Sequence, residues 1–311
     1  MQIHKLVEMN ERSTIGWQVE LKNAAPHGSR RRLHGLALVK NIFFFFYLYS
    51  GYVPLRDFIL ARLGRARVVV LCYHRLGAPD VLTKSVDEFR HELSYLGSRY
   101  ECLSLRELCE RLRANAPFRR RAFVITFDDG YRVNYTAAVP ALREAGLTGT
   151  FFVATGFIGT ERVFPHDARQ AKDYPKLTWD DLRAMEAAGF EIGSHTINHV
   201  NLGRTEEAVC KQEIYGSLDM INCELGARPR AFAFPWGKPG DISSAAVEGA
   251  RQAGYYAALS AYGGTVKRGD GSFTLRRVDA GNGHLSRMAW RARIAGLDPD
   301  YFRLKLKEGQ L

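Results

Sequence analysis

The sequence predicts an α/β fold in which about six or seven βα units form a barrel around a parallel sheet. From residue 67 onward, short apolar runs alternate with longer segments of helical character. Continuous apolar runs are typical of strands that helices bury on both faces. The chain has 311 residues, of which 46% are hydrophobic, and an α/β barrel can use this length as a single domain. The number of units favours a barrel over an open sheet.

Apolar runs place the strands in order along the chain. The first strand is predicted at residues 68–73 and the second at residues 122–127. Later strands are predicted at residues 149–153, 190–193, 231–234, 255–259 and 275–278. Three of the helical segments before these strands end in an alanine and a glycine, at Ala145-Gly146, Ala188-Gly189 and Ala253-Gly254. Glycine suits the left-handed position that stops a helix, so each pair marks a helix end.

Two capping signals place helices between the first two strands. Ser85 is followed three residues later by Glu88, and Ser104 is followed by Glu107. In a capping box, the serine and glutamate side chains each accept a hydrogen bond from the backbone N–H of the other residue. We therefore predict one helix that begins after Ser85 and another that begins after Ser104.

Residue types that carry chemistry follow the predicted strands. Asp128 and Asp129 come directly after the second strand, and His195 follows the run at residues 190–193. Two other strands are followed by His74 and by Pro235 and Trp236. A barrel builds its active site at the C-terminal ends of its strands, so these side chains are expected to meet at one rim.

Two short strings provide the ligands of a metal site: Thr-Phe-Asp-Asp-Gly at residues 126–130 and Ser-His-Thr-Ile-Asn-His at residues 194–199. One aspartate with the imidazoles of His195 and His199 leaves positions open for water and substrate. The second aspartate is then free to act as a base, as in a metal-assisted hydrolase. These ligand types do not choose among zinc, cobalt, nickel and manganese. His91 and His166 show no partner pattern and are interpreted as structural or solvated.

The composition limits the partners and the compartment. The net charge is +11 at pH 7, which indicates an anionic neighbour such as a membrane surface or an acidic glycan. No basic run is interleaved with aromatic residues, so nucleic-acid binding is not expected. The five cysteines form no CxxC pattern, and their odd number does not suit a disulfide framework. A reducing compartment is therefore expected.

An aromatic segment at residues 36–50 follows the basic cluster at residues 30–32. It lies far from Met1, is interrupted by Lys40-Asn41, and is followed by no clear cleavage pattern, so we do not interpret it as a signal peptide. It is also shorter than the roughly 18 apolar residues of a membrane span. Two interpretations stay open: a helix in the bilayer interface, or a helix packed on the main domain. The protein is expected in the cytoplasm or on the inner face of the membrane.

Residues 68–278 resemble the polysaccharide deacetylase superfamily, also called carbohydrate esterase family 4 or the chitooligosaccharide-deacetylase homology domain. Asp128-Asp129 match its first motif, and His195 with His199 match its second. The third motif usually contains arginine, which is replaced here by Ala233. The string Phe-Ala-Phe-Pro-Trp-Gly at residues 232–237 is similar to the Phe-Ala-Tyr-Pro-x-Gly of one family branch, whose first strand ends in a Tyr-His pair like the one at residues 73–74.

The resemblance implies a distorted (β/α)7-type barrel at residues 66–285. A basic, helical N-terminal extension (residues 1–65) and a basic C-terminal tail (residues 286–311) would flank it. It also implies metal ligands, with zinc as the expected ion. These ligands are Asp129, His195 and His199.

Further roles follow from the same resemblance. Asp128 is the expected base, and Arg277, with Arg276 as the alternative, would orient it. His74 is the expected general acid and His284 is the second choice. Pro235 and Trp236 are expected to bind substrate. Trp236 would stack on a sugar ring, and its backbone N–H could stabilise an oxyanion.

The expected function is that of a metal-dependent hydrolase that removes N-acetyl groups from an amino-sugar-containing polysaccharide, oligosaccharide or lipid-linked sugar. Peripheral contact with a membrane is also expected. Three alternatives stay open. They are a deformylase or amidase on a small amide, a catalytically silent carbohydrate-binding barrel, and a membrane-surface interaction protein.

Overall fold

A sheet of parallel strands forms the centre of the computed structural model, which describes residues 42–228, 230–299 and 301–302. In chain order the strands are β1 Val68–Tyr73, β2 Arg75–Leu76, β3 Thr83–Lys84, β4 Glu101–Cys102, β5 Ala122–Phe127, β6 Thr150–Val153, β7 Glu191–Ser194, β8 Ala231–Ala233, β9 Ala257–Leu259, β10 Phe273–Leu275 and β11 Val278–Asp279. Strands β2 and β3 pair only with each other, and the rest belong to the central sheet.

The central sheet has the order β10-β9-β8-β7-β6-β5-β1-β11, and β4 pairs with the beginning of β5. All of these pairs are parallel. The two strands at its ends, β10 and β11, follow one another directly in the chain. The sheet therefore curls into an incomplete barrel, which confirms the predicted distorted (β/α) fold.

Alternate residues of each strand pack into different hydrophobic clusters. In β1, Val68 and Val70 pack with Val124 of β5, whereas Val69 and Leu71 pack with Phe123 on the other face. Every residue of β1 and of β5 is buried. Burial of both faces explains why these strands are almost continuously apolar in sequence.

One predicted strand is wrong. Residues 275–278 do not form a single strand, because β10 ends at Leu275 and β11 begins at Val278. Strand β10 pairs with β9 and β11 pairs with β1, so the chain crosses here between the two edges of the sheet. The break places the buried side chain of Arg277 at the rim. The other predicted strands are confirmed, with ends that differ by two residues or fewer, as is usual for such boundaries.

Helices cover the outside of the sheet. They are α1 Tyr52–Arg62, α2 Val86–Gly97, α3 Leu105–Arg113, α4 Val139–Glu144, α5 Pro165–Ala168, α6 Trp179–Ala187, α7 Glu207–Leu225, α8 Ser244–Gln252 and α9 Arg287–Ile294. The capping box at Ser104 is complete, whereas Ser85 accepts only the bond from Glu88 N–H. The glycines that were predicted to stop α4, α6 and α8 are all left-handed: Gly146, Gly189 and Gly254.

The chain divides into two compact units, residues 1–50 and residues 51–311. In the first unit, residues 42–49 are helical and expose aromatic side chains that include Phe43 and Phe46. The basic cluster at residues 30–32, the start of the aromatic segment and the end of the C-terminal tail lie outside the described residues. Within the described ranges, no helix has the length and apolar character that a membrane crossing requires.

Candidate active site

The C-terminal ends of the strands bring the predicted site residues together. Asp128 and Asp129 follow the last residue of β5, and His195 follows the last residue of β7. The turn after β7 carries His199. Four residues at this rim have left-handed backbone conformations although none is glycine: Asp129, Thr196, His199 and Trp236. Such conformations cost energy and concentrate at functional sites, where the surrounding structure enforces them.

Asp129, His195 and His199 converge on one point. Oδ1 of Asp129 lies 3.5 Å from Nε2 of His195 and 3.2 Å from Nε2 of His199. One ligand atom from each of the three side chains lies within 4.8 Å of the others. Oδ1 of Asp129 is buried and has no well-aligned hydrogen-bond donor among the described residues. A buried carboxylate oxygen without a donor is costly, unless another positive group satisfies it.

The tautomer of His195 explains how a cation would fit this point. Nδ1 of His195 lies 2.7 Å from the carbonyl oxygen of Ala233, and because a carbonyl can only accept, Nδ1 carries the proton. Burial lowers the pKa of His195 to about 4, so at neutral pH the ring is neutral and Nε2 presents a lone pair. Nε2 therefore faces the Asp129 carboxylate with no proton between them. A divalent cation satisfies both groups, and histidine ligands commonly donate their other N–H to a carbonyl in this way.

The Asp129 carboxyl is ionised. Burial by itself raises its pKa, but the neighbouring imidazoles, His199 first, outweigh burial and hold the pKa well below its usual range. An ionised carboxylate and two imidazoles would be the donor set of a divalent transition metal, with the cation taking the place of a proton between His199 and Asp129.

Helix α7 holds the turn that carries His199. The buried carboxylate of Glu213 accepts hydrogen bonds from the backbone N–H groups of Ile197 and Asn198, at 2.9 and 2.8 Å. The His199 N–H donates to Oγ1 of Thr196 at 2.9 Å. Glu213 is therefore part of the site, although no local pattern in the sequence marked it.

Arg277 clamps Asp128 with two parallel hydrogen bonds. Its Nη1 and Nη2 each lie 2.7 Å from one carboxylate oxygen of Asp128. Burial by itself raises the pKa of Asp128, but the Arg277 guanidinium outweighs it and the pKa lies below its usual value. Arg276, the alternative partner, instead lies over the ring of Tyr301 at 5.0 Å. The base candidate is thus fixed and ionised.

His74 lies beside Asp128. Its side chain forms a second group with Cys72 and Asp128, whose candidate ligand atoms lie within 4.8 Å of each other. Nδ1 of His74 is buried and has no hydrogen-bond partner in the described part of the chain. His284, the second acid candidate, is exposed on a turn after β11.

Trp236 lies at the edge of the site. Its ring centroid is 6.2 Å from that of His199, and 49% of the residue is exposed. Its backbone N–H makes no hydrogen bond within the described ranges. Pro235, which was also predicted to bind substrate, is buried beneath this turn, and its carbonyl accepts the N–H of Gly237 at 2.7 Å.

His166 and Tyr131 also lie next to the site, although the sequence did not predict this. Nε2 of His166 lies 2.8 Å from the Tyr131 hydroxyl and 3.9 Å from Oδ2 of Asp129. The same hydroxyl donates to Asp167 at 2.7 Å, and Asp167 pairs with the buried Arg75 at 2.6 Å. His166 is far from the other site residues in sequence and belongs to no motif, so only the fold reveals its position.

Comparison with known proteins gives a consistent result. Residues 115–258 match the family model described as Polysaccharide deacetylase. The Bacillus subtilis protein YxkH, whose name assigns it provisionally to the polysaccharide deacetylases, is 25% identical over 233 residues, or 75% of this chain and 77% of that protein. The peptidoglycan-N-acetylglucosamine deacetylase of Bacillus cereus is 22% identical over 125 residues, which span 40% of this chain and 39% of that protein. The structure of the Streptococcus pyogenes deacetylase PplD in complex with acetate has the same fold, with a TM-score of 0.62 and 21% identity over 74% of this chain and 98% of that chain.

Proposed function

We propose that this chain, which belongs to the polysaccharide deacetylase superfamily, uses a divalent metal ion to remove N-acetyl groups from an amino-sugar-containing polysaccharide or oligosaccharide. The observation that carries the proposal is the buried Asp129 carboxylate, which faces the Nε2 atoms of two imidazoles beside a second, arginine-clamped carboxylate. The first group of side chains provides a metal site and the second provides a base. Together they suit the hydrolysis of an amide.

The metal would be held by Oδ1 of Asp129 and by Nε2 of His195 and His199. When bound, a divalent ion there supplies a Lewis acid for the acyl carbonyl and lowers the pKa of a water ligand to about 7. Zinc is the ion that we propose, because one carboxylate and two imidazoles form a common catalytic zinc set.

Asp128 would accept a proton from the attacking water. Its ionised state at neutral pH and its fixed position beside the metal ligands suit a general base. Oδ2 of Asp128 lies 4.0 Å from Nε2 of His195, so the base lies next to the metal site. Arg277 keeps this carboxylate oriented without occupying all of its lone pairs.

The remaining roles follow from position. His74 would donate a proton to the departing amine, because its ring adjoins Asp128 and its Nδ1 has no hydrogen-bond partner among the described residues. The Trp236 N–H would stabilise the negative oxygen of the tetrahedral intermediate, and the exposed indole would stack on a sugar ring. Water adds to the acyl carbon, the carbon–nitrogen bond breaks, and acetate and a free amine leave.

The catalytically silent alternative rests on the third motif, in which Ala233 stands at the usual arginine position. The structure weakens this alternative. Asp128 already receives a bidentate guanidinium from Arg277, and the Ala233 carbonyl fixes the tautomer of His195. The base therefore does not need an arginine at residue 233.

Acetate release from N-acetylated glycans, measured together with bound zinc, tests the proposal. The Asp128→Asn variant should retain metal and lose about 10²-fold or more in kcat, because it cannot accept a proton. The His195→Ala variant should lose metal and activity together. Asp219→Asn, which changes an exposed aspartate, is the matched control and should change neither. Full turnover by Asp128→Asn would exclude Asp128 as the base.

A comparison of N-formyl with N-acetyl sugars as substrates would distinguish a deformylase from a deacetylase.

A further inference from the structure

Helix α1 presents an apolar face to solvent. Leu55, Phe58, Ile59 and Leu63 are 61%, 58%, 48% and 61% exposed. The other side of the helix is attached to the barrel domain: Asp57 pairs with Arg121 at 2.8 Å. Several large apolar side chains on one exposed face are unusual for a soluble surface and indicate a binding surface.

Four arginines flank this face. The Arg62 guanidinium lies 5.2 Å from the Phe58 ring, and Arg65 follows at the end of the helix. Arg119 and Arg120 join them, because Phe118 is hydrogen-bonded to the segment that follows α1, with its N–H donating to the Gly64 carbonyl at 3.0 Å. All four are exposed, and none forms an ion pair with a carboxylate of the described residues.

The combination of these two features identifies the partner by its chemistry. A helix that places apolar side chains in the acyl boundary and arginines at the headgroups is typical of proteins that bind an anionic lipid surface. A second copy of the chain would bring the same arginines close to each other, and like charges at an interface are unfavourable. The helix has 11 residues and a length of about 16 Å, so it is too short to cross a bilayer.

We propose that α1, together with Arg62, Arg65, Arg119 and Arg120, docks the protein on the surface of an anionic lipid bilayer. The segment of residues 42–49, considered by itself, also exposes Phe43, Phe45 and Phe46. It therefore provides further apolar side chains for the same kind of partner.

The docking surface and the active site lie at opposite ends of the strands. The contacts of Gly64 and Phe118 precede β1 and β5, and the first residues of these strands pair as Val68 with Ala122. Asp128 follows the other end of β5. A protein docked through α1 would therefore direct its active site away from the bilayer. If the proposed deacetylase function is correct, the substrate is a glycan chain that extends from the surface, and not a sugar at the lipid headgroup.

Flotation of the full-length protein with vesicles tests this proposal. The protein should bind vesicles of phosphatidylcholine mixed with phosphatidylglycerol more strongly than vesicles of phosphatidylcholine alone. The double variant Leu55→Ser, Phe58→Ser should bind about a hundredfold more weakly, because each lost apolar side chain is worth about tenfold in an apolar medium. Its control is Val81→Ser, Val209→Ser, which removes two exposed apolar side chains elsewhere.

Charge-reversal variants distinguish the contribution of these arginines to vesicle binding from the contribution of the net charge. Arg62→Glu, Arg119→Glu should abolish the preference for the anionic vesicles, whereas Arg143→Glu, Arg204→Glu, with the same net charge, should preserve it. Equal binding by both double variants would overturn the proposal. So would an unchanged vesicle affinity of the Leu55→Ser, Phe58→Ser variant, and a wild type that is a dimer while this variant is a monomer would then show that the face binds a second copy of the chain. Acetate release from a soluble glycan is the separate readout of the proposed function and should stay unchanged in all these variants.

Discussion

Asp128 and Asp129 are adjacent in sequence, yet their carboxylates have different partners. Asp128 is bound by the guanidinium of Arg277, whereas Asp129 faces the imidazoles of His195 and His199. The left-handed backbone of Asp129 sends the two side chains in different directions. Under the proposed function, the two aspartates therefore have two roles, Asp128 as an ionised base and Asp129 as a metal ligand.

Arg277 binds the Asp128 carboxylate and Arg276 does not, so we predict that replacing the two arginines has different effects on stability. Arg277→Met should destabilise the fold by about 3–5 kcal/mol, because it leaves a buried carboxylate without its partner. The loss of the guanidinium should also raise the pKa of Asp128 and reduce kcat. Urea unfolding and acetate release measure the two effects.

Arg276→Met is the control for this prediction. The side chain of Arg276 is only half-buried and contacts an aromatic ring, so its removal should cost about 1 kcal/mol or less. Equal losses of stability in the two variants would show that the ion pair with Asp128 is not what distinguishes Arg277.

The sequence predicted the central residues of the candidate site, but it did not predict all of the side chains that hold them in position. Asp128, Asp129, His195 and His199 lie in short motifs next to apolar strands, so their convergence could be predicted. Glu213 and His166 reach the same rim from distant segments. Their side chains become part of the site only through tertiary packing, which no local pattern encodes. The choice of Arg277 over Arg276 likewise depends on where the last two strands separate.

At the scale of elements, the turn after β7 depends on helix α7. Glu213→Gln removes the charge that accepts two backbone N–H bonds from residues 197 and 198. We expect metal affinity to fall about 10- to 100-fold, as is typical when the support of a ligand is altered. Zinc titration monitored by competition with a chromogenic chelator measures this affinity.

Glu207→Gln on the same helix is the matched control for that measurement. Glu207 forms an exposed pair with Lys211 at 3.0 Å, and such pairs contribute little. If Glu213→Gln bound zinc as tightly as Glu207→Gln does, the turn would not need α7 for its ligand geometry.

The turn between β2 and β3 is held by charge and should respond to acid. Burial by itself raises the pKa of Asp80, but the Leu82 N–H, then Lys172 and Arg75, outweigh it and bring the pKa to about 2. A carboxyl whose pKa is depressed in the folded state stabilises the fold above its unfolded pKa, and this stabilisation is lost as the pH falls through the folded value. Asp80→Asn should therefore be less stable than the wild type by about 1–2 kcal/mol above pH 4.

Unfolding by urea at a series of pH values measures the effect of Asp80. The difference between wild type and Asp80→Asn should shrink as the pH falls from about 4 to about 2. A difference that stays constant across this range would show that the carboxylate charge does not stabilise this turn.

The β10–β11 break shows where strand prediction from sequence reached its limit. Residues 275–278 place two arginines between Leu275 and Val278, and nothing in this short run marks a break, so one strand was predicted. Whether one segment pairs with one neighbour or with two depends on how the barrel closes. Closure is a property of the whole sheet, because β9 and β1 are far apart in sequence.

At the scale of the whole molecule, the barrel separates two surfaces. The rim at the C-terminal ends of the strands carries the candidate catalytic residues, and the opposite end carries α1 with its arginines. The alternation of strands and helices was sufficient to predict the barrel, since burial of both faces leaves a clear apolar signature in β1 and β5. The exposed face of α1 left no such signature, because its apolar residues do not differ in type from those of a core helix.

Metal binding should stabilise the whole domain. A ligand that binds only the folded state raises the free energy of unfolding by RT ln(1 + [L]/Kd), which is about 2.7 kcal/mol at a hundredfold excess over Kd. Addition of zinc to chelator-treated protein should raise Tm, and His199→Ala should abolish this increase. Differential scanning calorimetry measures both. An equal increase in the His199→Ala variant would place the ion elsewhere.

The central claim is that an ion held by Asp129, His195 and His199 is required for hydrolysis of the N-acetyl group. Its most direct test is acetate release by chelator-treated protein as zinc is added in known amounts. We expect no release without metal, a rise that saturates near one zinc per chain, and no recovery by the His195→Ala variant at the same zinc concentrations. Full acetate release by the metal-free protein would contradict the claim.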